Sequence, residues 1–252
     1  MEKKTKTNNK FLEKRFSGNE LKYFQEIVNF GFKFKRDSFI KMIQNKWSKK
    51  FKRKYSITTN SCTSSLHSAF MAINVQKNDE ILVPSLTPFM CATTVHLAGA
   101  IPIYVDVDKN NFLIDINDLQ KKITKNTKAV LAVHSYSGVC DLINLKKFCE
   151  MNKLYLIEDC AQSFLSKDKN NILSGSIGDI SCWSFQYSKQ LTTGDGGILA
   201  TDNPILAKKL REITNLGYAS LRATNSQTII PKNIRQNPSF YRTSSIGFNY
   251  RM

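Results

Sequence analysis

Between residues 55 and 216 the chain alternates short, wholly apolar runs with longer amphipathic ones. Seven runs of six to eight residues, "YSITTN", "EILVPS", "IPIYVDV", "KAVLAVHS", "LYLIED", "DISCWSF" and "GGILATD", predict strands. Most are continuously apolar rather than alternating, the mark of a sheet covered on both faces. Between them, "TSSLHSAFMAI", "FMCATTVHLAG", "INDLQKKI", "LINLKKFCEMN" and "PILAKKLREITNL" repeat apolar positions about a turn apart and predict helices. The last carries proline at its first position, where the missing N–H costs nothing. Repeated βα units with short turns imply a three-layer α/β/α fold with a mostly parallel sheet. After Gly217 the pattern lapses: residues 219–245 read as polar loop before the apolar "IGFNYRM". Left exposed, that end predicts association or low stability.

Charge alters this picture little. The formal net charge is +17. Residues 1–55 hold 17 basic against 5 acidic residues, and the remainder 20 against 15, so the excess is N-terminal. "KKTKTNNK" reads as an unstructured start over residues 1–15, and "KWSKKFKRK" mainly as a solvated basic face. No aromatic RNA-binding motif, zinc-finger spacing or heptad accompanies it, so no nucleic-acid partner is expected. The six cysteines form no CxxC pair, no metal site is expected, and several lie in apolar runs, which predicts buried reduced thiols and a cytoplasmic setting. No stretch approaches the 18 apolar residues that suggest a membrane span, and no secretory leader is evident.

In an open parallel sheet, ligands bind beyond the carboxyl ends of the strands, and three polar segments fall there. "TTNSCTSSL", residues 58–66, starts a helix on small hydroxyl residues; free N–H groups and the helix dipole suit an anion such as phosphate. An ordinary N-cap is the plainer account. "LYLIEDCAQ", residues 154–162, ends a buried strand on Asp159, whose charge needs a cation or a donor; capping of the next segment is the alternative. Strand alternation turns Glu158 the other way, toward structure. In "SFQYSKQLTTGDGG", residues 184–197, Lys189 stands between an apolar strand and a Gly-rich bend. A lysine drawn into a cleft loses hydration and gains nucleophilic, base character, enough to bond an aldehyde. Anion cradle, carboxylate and lysine are three of the parts pyridoxal phosphate needs.

These blocks, together with "DEILVPSLT", "GAIPIYVDVD", "VHSYSG", "GSIGDISCWSF" and "GFNYRM", occur in one order from about residue 16 to 252. In that order and spacing the chain resembles the DegT/DnrJ/StrS-type sugar aminotransferases, pyridoxal-phosphate enzymes of fold type I. The resemblance implies a cofactor-binding large domain over residues 16–218. It implies transfer of an amino group, from glutamate or glutamine, to the keto group of a nucleotide-linked sugar in surface polysaccharide or glycan synthesis. By the same resemblance Lys189 bonds the cofactor and shuttles the proton. Asp159 keeps the pyridine nitrogen protonated, and Gln162 lies near the phenolic oxygen. Thr63, Ser64 and Ser184 hold the phosphate. Asn249 reaches the phosphate of a neighbouring subunit, which implies a homodimer with the site at its interface.

Three departures accompany the likeness. Cys62 stands where the family has glycine in the phosphate turn, and a side chain there crowds the approach to phosphate. Pro88 takes the place of the aromatic ring that stacks on the cofactor; its neighbour Phe89 substitutes only if the backbone shifts. Residues 219–252 read as a loop and the start of a C-terminal region that the family continues further. Together these leave an alternative: a catalytically impaired remnant with a binding role.

Overall fold

A computed structural model of the chain describes residues 17–30, 38–218, 236 and 243–252. The unstructured start expected over residues 1–15 and most of the loop expected over 219–245 lie outside them. All seven predicted strands are present: β1 (Tyr55–Thr59), β2 (Glu80–Pro84), β3 (Ile101–Val105), β4 (Thr127–Val133), β5 (Tyr155–Asp159), β6 (Ile180–Ser184) and β7 (Gly197–Thr201). They form one sheet in the order β1-β7-β6-β5-β4-β2-β3. Strand β7 runs antiparallel to both its neighbours, β1 and β6, and every other pairing is parallel.

The helices preceding β1 are α1 (Glu20–Phe30) and α2 (Ser38–Phe51). Those interleaved with the strands are α3 (Cys62–Ala72), α4 (Phe89–Leu97), α5 (Ile116–Lys122), α6 (Leu142–Met151) and α7 (Pro204–Thr214). Alternation along the strands sorts them into two layers. Leu131, Val133 and Ile157 meet α3, α4 and α7 on one face, while Val130, Ala132 and Leu156 meet α5 and α6 on the other. Continuous apolar runs are what such a doubly covered sheet requires. Strand β3 departs from this: at the sheet edge, Ile101 and Tyr104 remain exposed.

The basic stretch "KWSKKFKRK" is corrected by the fold. Only its lysines are solvated. Trp47 and Phe51, on one side of α2, pack with Trp183 and Phe185 in a third cluster against β6 and β7. Arg53 is buried too: its guanidinium donates to the Gly178 carbonyl at 2.7 Å and lies 3.5 Å from Asp202. Net charge hid an amphipathic helix, because three or four lysines per two turns can share one face.

The apolar C-terminal run is not left uncovered either. Residues 248–250 lie along the end of α7, with Phe248 N–H donating to the Ile213 carbonyl at 2.6 Å and Tyr250 N–H to that of Thr214 at 3.2 Å. Asn60 N–H donates to the Tyr250 carbonyl at 2.8 Å, which ties the segment to the end of β1. The Tyr250 hydroxyl reaches His67 Nδ1 at 3.1 Å, and its ring stacks on Phe248. Gly217, at φ +71°, and Gly247 touch backbone to backbone; a Cβ on either would overlap the other's segment. Of this run's apolar side chains, Ile246 stays largely exposed and Met252 partly so.

Candidate active site

Parallel pairing brings the carboxyl ends of β4, β5 and β6 to one edge of the sheet, and β1, antiparallel to β7 as β6 is, ends at that edge too. The antiparallel strand completes the arrangement. Gly197, the first residue of β7, pairs with Ser184 on one side and Thr59 on the other. The connection from β6 to β7 therefore leaves and returns at that same edge, and it carries Lys189. The bend is held by Lys189 N–H to the Gln186 carbonyl at 2.9 Å and Thr193 N–H to that of Phe185 at 3.0 Å.

A cavity of about 370 Å³ opens there. Asp159, Lys189, Gln162, Thr63 and Ser184 all line it. Lys189 is half-buried, whereas Asp159 is 5% exposed. Burial drives the Asp159 carboxyl pKa above its usual range, offset by the Ala161 N–H on Oδ1 and by the Lys189 charge among others. A raised carboxyl in a cavity wall is one whose ionised form awaits a further cation or donor. The Gln162 side chain accepts from Tyr136 N–H at 2.9 Å, which fixes it beside the cavity.

The start of α3 is built as a capped helix terminus. Ser61 is its N-cap, extended at φ −165°, with its Oγ accepting from Ser64 N–H at 3.1 Å. The N–H groups of Cys62 and Thr63 are in the first turn, where the helix offers them no partner. This corrects the expectation for Ser64. Its hydroxyl turns to Asn60 Oδ1 at 2.6 Å and to Ser61 Oγ at 2.9 Å, and it is Ser61 that lines the cavity. Cys62 is 7% exposed and lines the cavity, with Sγ 4.0 Å from Asp159 Oδ1.

Gly197 explains how the turn and the lysine connection fit together. A Cβ at this position would lie 2.5 Å from the Ser61 carbonyl carbon and 2.7 Å from the Cys62 nitrogen, both backbone. Gly197→Ala is expected to push the turn and β7 apart, costing about 1–3 kcal/mol. Thermal unfolding measures it: a midpoint unchanged from the parent would refute the close approach.

Two expected residues lie elsewhere. Phe89 begins α4 but is 71% exposed and faces away from the cavity, whose wall is formed there by Pro88 and Met90. No backbone shift brings the ring in. Asn249 is exposed, outside the cavity, with its Oδ1 accepting from Arg251 Nε at 3.0 Å.

Sequence reading missed the buried pair behind the cavity. His134, directly after β4, also lines it, and its Nε2 lies 2.9 Å from Glu158 Oε2. The Cys140 N–H donates to Nδ1, so the ring proton sits on Nε2, facing the carboxylate. Glu158 points away from the cavity, as strand alternation requires. It accepts from the N–H groups of Gly175, Ile177 and Gly178 and from the Ser181 hydroxyl. Burial raises its pKa, but His134 and those N–H donors outweigh it and hold the carboxyl down at about 2. A polar residue closing the apolar run "KAVLAVHS" was the available signal for His134.

All six cysteines are free and buried, as expected. No helix among the described residues is long and apolar enough to cross a membrane.

The model of the DegT/DnrJ/EryC1/StrS aminotransferase family matches residues 15–252. GDP-perosamine synthase of Vibrio cholerae is 32% identical over 208 residues, 82% of this chain and 56% of that protein. The protein of the same name from Escherichia coli O157:H7 is 31% identical, over 94% of this chain and 60% of its own length. The chain thus spans less than two thirds of the length of these curated relatives. Among solved structures, NtdA from Bacillus subtilis with bound cofactor PMP superposes with a TM-score of 0.72 at 27% identity, covering 85% of this chain and 45% of that one. A DegT/DnrJ/EryC1/StrS aminotransferase from Brucella abortus reaches 0.78 over 97% of this chain and 61% of its own; at 23% identity it speaks to the fold.

Proposed function

The chain belongs to the DegT/DnrJ/EryC1/StrS aminotransferase family, and from that premise we propose that it is the cofactor-binding part of a pyridoxal-5′-phosphate-dependent sugar aminotransferase. It moves an amino group from glutamate or glutamine to the keto group of a nucleotide-linked sugar, for surface polysaccharide or glycan synthesis. The supporting observation is the meeting of Lys189, Asp159 and the start of α3 on one cavity. Residues 16–218 are the cofactor-binding domain, and 219–252 lead into a C-terminal region.

The residues present fit the cofactor. Asp159 is a buried carboxylate with its charge incompletely met, the partner a pyridinium N–H requires. The Ser61–Thr63 turn presents a helix start, and with Ser184 it suits a phosphate. Bound there, pyridoxal phosphate supplies an electron sink for the charge left when the amino donor loses its α-proton. The protein supplies the rest. Asp159 holds a proton on the ring nitrogen. Lys189 Nζ is the amine that would hold the aldehyde carbon and, once the incoming donor amine has displaced it there, would be free to take and return the α-proton, so one flexible amine could serve as anchor and base. Gln162 orients the phenolic edge. A homodimer in which Asn249 crosses to the neighbouring site fits its exposure here, and the free thiols suit a reducing cytoplasm.

The experiment is reconstitution with pyridoxal phosphate followed by addition of glutamate or glutamine, read as a change in the cofactor's absorbance. A panel of nucleotide keto-sugars then identifies the acceptor. A protein that stays colourless overturns the enzyme reading and supports a remnant that has kept the fold, the reading that Pro88 and the outward Phe89 favour.

A further inference from the structure

The Asp159 carboxylate is held by two donors from different parts of the fold. Ala161 N–H reaches Oδ1 at 2.9 Å, and Cys91 Sγ lies 3.3 Å from Oδ2. Cys91 sits in the first turn of α4 and is fully buried. Burial and the nearby Asp159 charge both push its thiol pKa up, so the sulfur keeps its proton and acts as the donor. A thiol is a weak donor in water, but toward a charged acceptor in a dry site it gains strength. The torsion that orients a carboxylate is soft and roughly two-fold, so with Ala161 alone the group could still rotate.

We propose that Cys91 is a positioning residue: its S–H on Oδ2 locks the Asp159 carboxylate in the orientation that offers its remaining lone pairs to the cavity. The identity of what docks there rests on the cofactor reading above; the locking itself does not. Other groups around the carboxylate are Cys62 from α3, Cys160 beside it, Cys182 from β6, His134 after β4 and Lys189. Of the thiols, Cys91 makes the close contact; Cys62 stands off at 4.0 Å.

The test compares Cys91→Ala, Cys91→Ser and Cys62→Ala. In the cofactor-free protein, carbon-13 NMR of labelled aspartate follows Asp159 with pH. The Cys91→Ala titration is expected to move upward, the Cys91→Ser titration to stay or move downward because a hydroxyl donates better, and Cys62→Ala to stay. Pyridoxal-phosphate binding should weaken about three- to tenfold in Cys91→Ala, the scale of one ordinary hydrogen bond, and recover in Cys91→Ser. An unmoved Asp159 titration in Cys91→Ala overturns the proposal. So does tighter cofactor binding in that variant, which would mean the thiol blocks the carboxylate. If Cys91→Ala does not fold, the serine variant decides, since an upward shift there is equally fatal. If no variant binds cofactor, the NMR arm still stands, and the failure belongs to the cofactor reading.

Discussion

Lys189→Ala is expected to lower transamination by about four orders of magnitude or more, the scale of losing a group that acts as nucleophile and base together. Borohydride reduction of the reconstituted parent should leave a pyridoxyl adduct on the peptide carrying Lys189, and none on the variant. Stability should hardly change. Among the described residues its one hydrogen bond is made by its backbone N–H, and the side chain is half-buried, so the cost stays within about 0.5 kcal/mol. That separation is what distinguishes a chemical role from a structural one. Retained turnover, or an adduct elsewhere in the chain, would remove Lys189 from the mechanism.

Glu158→Gln is expected to produce the opposite signature: large in stability, felt at the site only through the fold. The carboxylate gathers His134, three backbone N–H groups and a hydroxyl where no water competes. An amide can accept from only part of that set and aims its own N–H at donors, so the loss should be about 3–5 kcal/mol. The pH dependence has a definite sign. The ordinary glutamate value of 4.5 falls to about 2 in the folded chain. The contribution is therefore fully present above 4.5 and lost as pH falls from there toward 2. Urea unfolding across that interval should show the parent losing stability more steeply than the variant. Parallel curves would mean that Glu158 is not charged in the fold.

How legible these two residues were follows from where they lie along the chain. Asp159 and Glu158 are adjacent, and strand alternation alone assigns one to the cavity and the other behind it. The donors that meet Glu158 come from residues 134 and 175–181, so no local pattern announced the network. Lys189 stood out because a charged residue interrupts an apolar strand and a Gly-rich bend. Phe89 misled because adjacency in sequence was taken for adjacency in space. Pro88 is the N-cap of α4, outside the helical period, so it and Met90 line a cavity that Phe89 does not. Ser64 misled similarly: in a run of small hydroxyls, composition does not say which one caps and which faces outward.

The same limit applied to charge. Trp47, Phe51 and Arg53 are embedded in a lysine-rich stretch, and counting charges hides an amphipathic period that only packing against Trp183 and Phe185 makes plain.

By itself the sequence determined the strands and helices from residue 55 to 214, their sorting into two layers, and the strand ends at which chemistry must sit. These depend on periodicity and on the polarity of residues close together in the chain, which water reads directly through burial. Tertiary structure alone decided that β7 runs antiparallel and so returns the lysine connection to the cavity edge, that Gly197 lets it press on the Ser61 turn, and that the Cys91 thiol meets Asp159. Those outcomes arise between segments tens of residues apart, where packing of backbone against backbone selects the neighbour and no local pattern carries the information.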